Sequence, residues 1–185
     1  MRNRIQQRVT QPFGFGLDQG ILGADGELVA YLDARCATVT SLVSEVSDIL
    51  ADQGTRLAFI DFSGGIKGYL SGAPAGAPAA AIGWQFGIDL DEIKDVCPEV
   101  VVLGYAADPE RVRLDLEAYT EQLANDMTVV LRPMLPDCTS ADNFAEKVGH
   151  VRALGIERLA FHHYGLMRLE GLDWIREALR QASAA

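Results

Sequence analysis

Polar side chains of the kinds that carry acid–base and ligand chemistry stand directly after short apolar runs. Leu57-Ala58-Phe59-Ile60 leads into Asp61, Phe62 and Ser63, and Val100 to Gly104 leads into Tyr105. Met127 to Leu131 leads into Arg132, and Leu159-Ala160-Phe161 leads into His162, His163 and Tyr164. A carboxylate so placed can act as acid, base or nucleophile, and an imidazole exchanges protons near neutrality. A guanidinium offers a planar fork of donors to oxygen-rich ligands. Asp61 and His163 are the catalytic candidates at the strand ends. Ser63, Tyr105, Arg132, Tyr164 and Trp84 are the substrate-binding candidates. Each has a plainer reading beside the chemical one. Asp61 can cap the loop that follows it, Tyr105 can be a packing residue with a satisfied hydroxyl, and Arg132 can pair with a loop carboxylate such as Asp137.

Side chains alternate along a strand, so Asp61, Tyr105, Arg132 and His163 each share a face with the residue two positions earlier: Phe59, Leu103, Val130 and Phe161. All four are therefore expected to turn the same way. Adjacent His162 and His163 point to opposite faces and cannot easily ligate one ion; His162 is expected to pack toward helices. Cys36, Cys97 and Cys138 are far apart and show no metal-ligand spacing, so neither a metal nor a disulfide framework is expected, and the thiols read as buried. No other cofactor is implied: a nucleophile elbow, a dinucleotide fingerprint after a strand and a P-loop are all missing. Of the two tryptophans, Trp84 reads as a stacking platform and Trp174 as core.

Helices fill the intervals between these runs. Val39, Leu42, Val43, Val46, Ile49 and Leu50 recur at helical spacing from about Tyr31, with Gly54 as a stop. Asp89 to Glu92 forms a capping-box pattern. Asp108-Pro109-Glu110 opens a second helix, Thr139 or Ser140 caps a third, and Leu172, Ile175 and Leu179 mark a last one. Strands near 57–62, 100–105, 127–132 and 158–163 alternate with these helices at the spacing of compact β/α repeats. The fold class is α/β: about four to five parallel strands with helices outside, partial and half-barrel-like, over residues 31–185 after an irregular segment 1–30. A complete (β/α)8 barrel takes about 250 residues. In such sheets, ligands meet the carboxyl ends of the strands, where the polar residues stand. The Gly-, Ala- and Pro-rich stretch 63–81 is expected to be a long loop over that rim.

The chain of 185 residues carries 26 acidic against 16 basic side chains, a formal net charge of −10. Such a surface repels phosphate backbones, so no nucleic-acid partner is expected. No apolar stretch has the length of a membrane span, so no membrane partner is expected either. The N-terminal arginines are not followed by an apolar run, which makes a cytoplasmic location the default expectation.

The Asp61 strand, Gly104-Tyr105, Leu131-Arg132-Pro133, and Phe161-His162-His163-Tyr164-Gly165-Leu166-Met167 followed by Leu172-Asp173-Trp174-Ile175 resemble the C-terminal half of a group of glycoside-hydrolase-like TIM barrels. The resemblance spans residues 31–180; His162 and His163 stand where such barrels carry a Tyr-Asn pair. It implies carbohydrate as the ligand and four earlier strands that this chain does not contain. Those would come from a second copy or from a complementary half. Glycoside hydrolysis uses two carboxyl groups flanking the bond. Asp61 is the one at a strand end, and Glu170, Asp108 and Asp137 are loop candidates for the second. The alternatives are a sugar-binding or interaction module without turnover, and a sugar aldolase or isomerase. Against Schiff-base chemistry, Lys67 lies in the long loop and no strand holds a lysine.

Overall fold

The computed structural model describes residues 26–64, 78–124 and 126–182. Helix α1 spans Gly26–Asp52, strand β1 Phe59–Asp61 and the short helix α2 Ala79–Ile82. A 3-10 turn at Gly83–Phe86 leads to α3, Leu90–Val96, and to β2, Val100–Leu103. There follow α4 (Pro109–Leu123), β3 (Met127–Leu131), α5 (Ala141–Ala153), β4 (Arg158–Phe161) and α6 (Leu169–Ala182). The four strands form one parallel sheet in the order β1-β2-β3-β4, alternating with helices and not closed on itself. This is the expected α/β class; each strand ends one or two residues sooner than expected, and β1 also starts two residues later. The chain divides into two compact units, the first holding the described residues through Val100 and the second those from Val101 onward.

In the first unit, α1 starts at Gly26, so residues 26–30, expected to be irregular, are helical. Residues 1–25 and most of the expected loop 63–81 lie outside the described residues. The buried stripe of α1 also differs from the expected one. Val29, Leu32, Cys36 and Val43 are buried, whereas Leu42, Val46 and Ile49 are exposed. Trp84 decides this, because its ring packs with Val29, Leu32 and Cys36 and so selects which side of α1 turns inward. Asp89 caps α3, its carboxylate accepting from the Asp91 amide at 3.1 Å. Gly83 is needed for close approach: a Cβ there would lie 2.8 Å from Ser63 Oγ and 3.1 Å from the Ile88 carbonyl.

In the second unit, Asp108 and Ser140 cap α4 and α5 as expected, accepting from the amides of Glu110 and Asn143. Pro109 occupies the first turn of α4, where its missing N–H costs nothing. Met127, Val129 and Leu131 of β3, Leu116 and Leu123 of α4, and Phe144, Val148 and Val151 of α5 are the buried apolar residues of the unit's elements. Val101, Leu103, Thr128 and Val130, which point the other way, are half-buried. The register of β3 with β4 pairs Thr128 with Arg158, Val129 with Leu159, Val130 with Ala160 and Leu131 with Phe161. Phe161 therefore shares Leu131's face, and its ring meets Phe144 at 5.8 Å between centroids.

Candidate functional site

The alternation that positions Tyr105 and Arg132 works as expected. Tyr105 follows Leu103 by two and Arg132 follows Val130 by two, so both leave the sheet on the half-buried face. The Gly104 amide donates to the Val130 carbonyl at 2.9 Å, which carries the β2–β3 ladder up to this rim. There the Arg132 guanidinium lies over the Tyr105 ring, 4.0 Å from its centroid. Such stacking is favourable in its own right and fixes the plane of the fork. Arg132 Nε–H donates to Asp137 Oδ2, so the pairing with Asp137 weighed as the plainer reading is present. Among the described residues, the two Nη groups of Arg132 have no protein acceptor.

The histidines are placed the other way round from the expectation. His162 follows Ala160, which pairs with Val130, and so turns to the Arg132 side; the His162 amide donates to the Leu131 carbonyl at 2.9 Å and continues the ladder. His162 Nδ1 stands 2.9 Å from the Tyr105 hydroxyl, and the two rings lie nearly parallel at 6.2 Å. Strand alternation groups His163 with this face through Phe161, but Phe161 lies on the helix-covered face beside Phe144, and a shift of one residue exchanges the two sides. His163 is exposed, and its ring lies 4.6 Å from that of His162 between centroids. Where the phenol donates to Nδ1, His162 is the Nε2–H tautomer; where Nδ1 carries the proton, the imidazole donates to the phenol oxygen.

Beneath these groups lies a buried polar layer that the strand-end reading missed. Asp137 is 1% exposed; one of its oxygens holds Arg132, and Oδ1 has no hydrogen-bond partner among the described residues. Burial pushes the Asp137 carboxyl up, against the opposing pull of Arg132 and Lys147. Burial likewise raises the Tyr105 phenol, with Arg132 opposing. Lys147 of α5 is 2% exposed, and its Nζ donates to the Asp137 carbonyl. Asn143 Nδ2 donates to the Ala107 carbonyl at 3.0 Å, tying α5 to the loop after β2. A lysine at a core position of an amphipathic helix, between Phe144 and Val148, was the available signal for this layer.

The other candidates are placed as follows. In the first unit, Asp61 and Ser63 are both fully buried, and Asp61 Oδ1 accepts from the Ser63 amide at 2.8 Å and from its hydroxyl at 2.5 Å. That is the geometry of the loop-capping reading. Trp84 is 2% exposed in the core of that unit, so neither face of its ring is open for a ligand to stack on. In the second unit, Tyr164 is 76% exposed, and Glu170 is exposed in the first turn of α6, paired with Arg168 at 3.4 Å. Glu170 and Trp174 line a cleft of about 350 Å³ together with Pro133, Met134, Leu135 and Leu166, so Trp174 is a cleft residue and not simply core. The described residues hold no cluster of three His, Cys, Asp or Glu side chains fit for a metal ion, and none of their helices is long and apolar enough to cross a membrane. The four-stranded parallel α/β sheet is as far as classification goes, because no protein-family model, curated protein or solved structure matches this chain.

Proposed function

We propose that the protein binds carbohydrate, and that the strand ends of its second unit hold the sugar through Arg132, Tyr105 and His162. The observation that carries this reading is the state of Arg132. Its guanidinium is stacked on Tyr105 and tethered through Nε by Asp137, and among the described residues its outer nitrogens have no hydrogen-bond acceptor. A fork fixed on two sides and open on a third is prepared for an oxygen-rich ligand at little entropic cost. His162 and the Tyr105 hydroxyl supply a further donor and acceptor beside it. The likeness of the strand-end motifs to glycoside-hydrolase-like barrels supports sugar as the class.

Binding is favoured over hydrolysis by the carboxylates themselves. Asp137 is buried and holds Arg132 through Oδ2, Glu170 pairs with Arg168, and Asp61 is engaged by Ser63. Screening the intact chain against immobilised glycans and nitrophenyl glycosides tests the reading. Retention of a glycan that is lost in Arg132→Ala, without release of nitrophenol, is expected. Failure to retain any glycan refutes it, and turnover would move the protein to the hydrolases.

A further inference from the structure

The cleft beside Arg132 has the composition of a ring-binding subsite. Pro133 follows Arg132 directly, and the cleft runs on from there between the 133–139 loop, Leu166 and the first turns of α6. It can sit so close because Gly171 lets α6 approach: a Cβ on that residue would lie 3.1 Å from the Pro133 carbonyl. Two kinds of surface meet in the cleft. Trp174, Met134, Leu135 and Leu166 are apolar, and Leu135 and Leu166 stand well out into solvent. Arg168 and Glu170 place a donor and an acceptor side by side, their charged groups 3.4 Å apart. A volume of about 350 Å³ lies at the small end of the ligand-pocket range of about 300–1,000 Å³.

We infer that this cleft seats one pyranose ring of the glycan, its C–H face on Trp174 and its hydroxyls on Glu170 and Arg168. A pyranose has the same division as the cleft: an apolar face formed by its axial hydrogens and a rim of hydroxyls that both donate and accept. An indole provides large apolar area at low entropic cost. A phosphate-bearing ligand fits less well, because Glu170 opposes its charge, and a wholly apolar ligand would leave the Arg168–Glu170 pair unused. The inference rests on the sugar-binding reading and extends it: the strand ends hold one part of the glycan and the cleft the neighbouring ring.

Because the chain has two tryptophans, its indole N–H signals report the cleft directly. Methyl β-glucoside, methyl β-galactoside, methyl α-mannoside and cellobiose are titrated into the 15N-labelled full chain. The Trp174 signal, assigned by its loss in Trp174→Phe, should move with at least one of them while the buried Trp84 signal stays. Trp174→Ala should weaken that sugar at least about tenfold, and Trp174→Phe, which keeps an aromatic face and the packing, by less. Glu170→Gln, at an exposed position, should weaken it without changing the fold. If Arg132→Ala abolishes binding while the Trp174 and Glu170 variants bind as the wild type does, the cleft inference is overturned and the strand-end reading stands. If the Trp174 and Glu170 variants lose binding and Arg132→Ala does not, the cleft stands and the strand-end reading falls. If no sugar moves the Trp174 signal, the cleft inference is overturned.

Discussion

Replacing Lys147 by methionine keeps the length of the side chain and removes its charge, which makes the buried amine a measurable quantity. Lys147 is 2% exposed and donates to the Asp137 carbonyl. Burial holds the ammonium below the ordinary lysine value, while Cys138, Asp137, Asp108 and Glu146 pull it back up. The folded value is then lower than the unfolded one of about 10.4. Between the two, the unfolded chain binds more protons, so stability rises with pH across that window by about 1.4 kcal/mol for each unit of depression. Below the window both states carry the proton, and the full cost of burying the charge is present. Methionine has no such cost at any pH but leaves the Asp137 carbonyl without its donor, a loss of about 1–3 kcal/mol. The wild type should therefore gain on Lys147→Met as pH rises from neutral to above the free-lysine value, measured by urea unfolding at closely spaced pH. Repeating both arms in Cys138→Ala removes the contribution of the neighbouring thiol, which burial also raises. A difference curve that stays flat over that range would refute a desolvated Lys147.

Two glycines should respond in opposite directions to alanine. Gly83→Ala places a methyl against Ser63 Oγ and the Ile88 carbonyl and should cost about 1–3 kcal/mol in thermal or urea unfolding. Gly149→Ala, in α5 with nothing near its added methyl, should gain about 0.5–1 kcal/mol. Self-association is the third expectation: the sheet is open and β4 ends it, with its outer edge unpaired among the described residues. Parallel sheets are ordinarily covered on both faces, and such edges pair readily. Sedimentation at micromolar concentration should show a dimer or larger; a compact monomer would count against pairing with a second copy.

What the chain order reveals and what it hides follow from the range of the physics involved. Helix starts at Asp89, Asp108 and Ser140 were legible because capping is local: the donor groups lie two or three residues from the acceptor. The strands were legible because each is an apolar run bounded by turn residues. The face of the fourth strand was not. Arg158 to Phe161 has no clear alternation of apolar and polar residues, so only pairing with β3 decides which side Phe161 takes. A shift of one residue there exchanges His163 for His162 as the partner of Tyr105. The buried side of α1 failed for a related reason, since its apolar residues extend around more than one face and Trp84, distant in sequence, chooses among them. Asp137 and Lys147 make their contacts across 10 residues of chain, beyond what a turn or helix period signals.

Arg132 draws these separate features into one arrangement. Tyr105 brings it the end of β2, Asp137 the loop after β3, and His162, through the Tyr105 hydroxyl, the end of β4. Lys147 fixes the loop at Asp137 from α5, and Asn143, also on α5, fixes the loop after β2 at Ala107. Every β/α step of the second unit thus contributes to holding one guanidinium at the carboxyl edge of the sheet. An exposed surface ion pair contributes about 0–1 kcal/mol to stability and needs no such support. Burying Asp137 and Lys147 to brace it opposes folding, because each ionised group loses water. That opposition, accepted at a strand end where parallel sheets meet their ligands, is what the proposed ligand-holding role of Arg132 would account for.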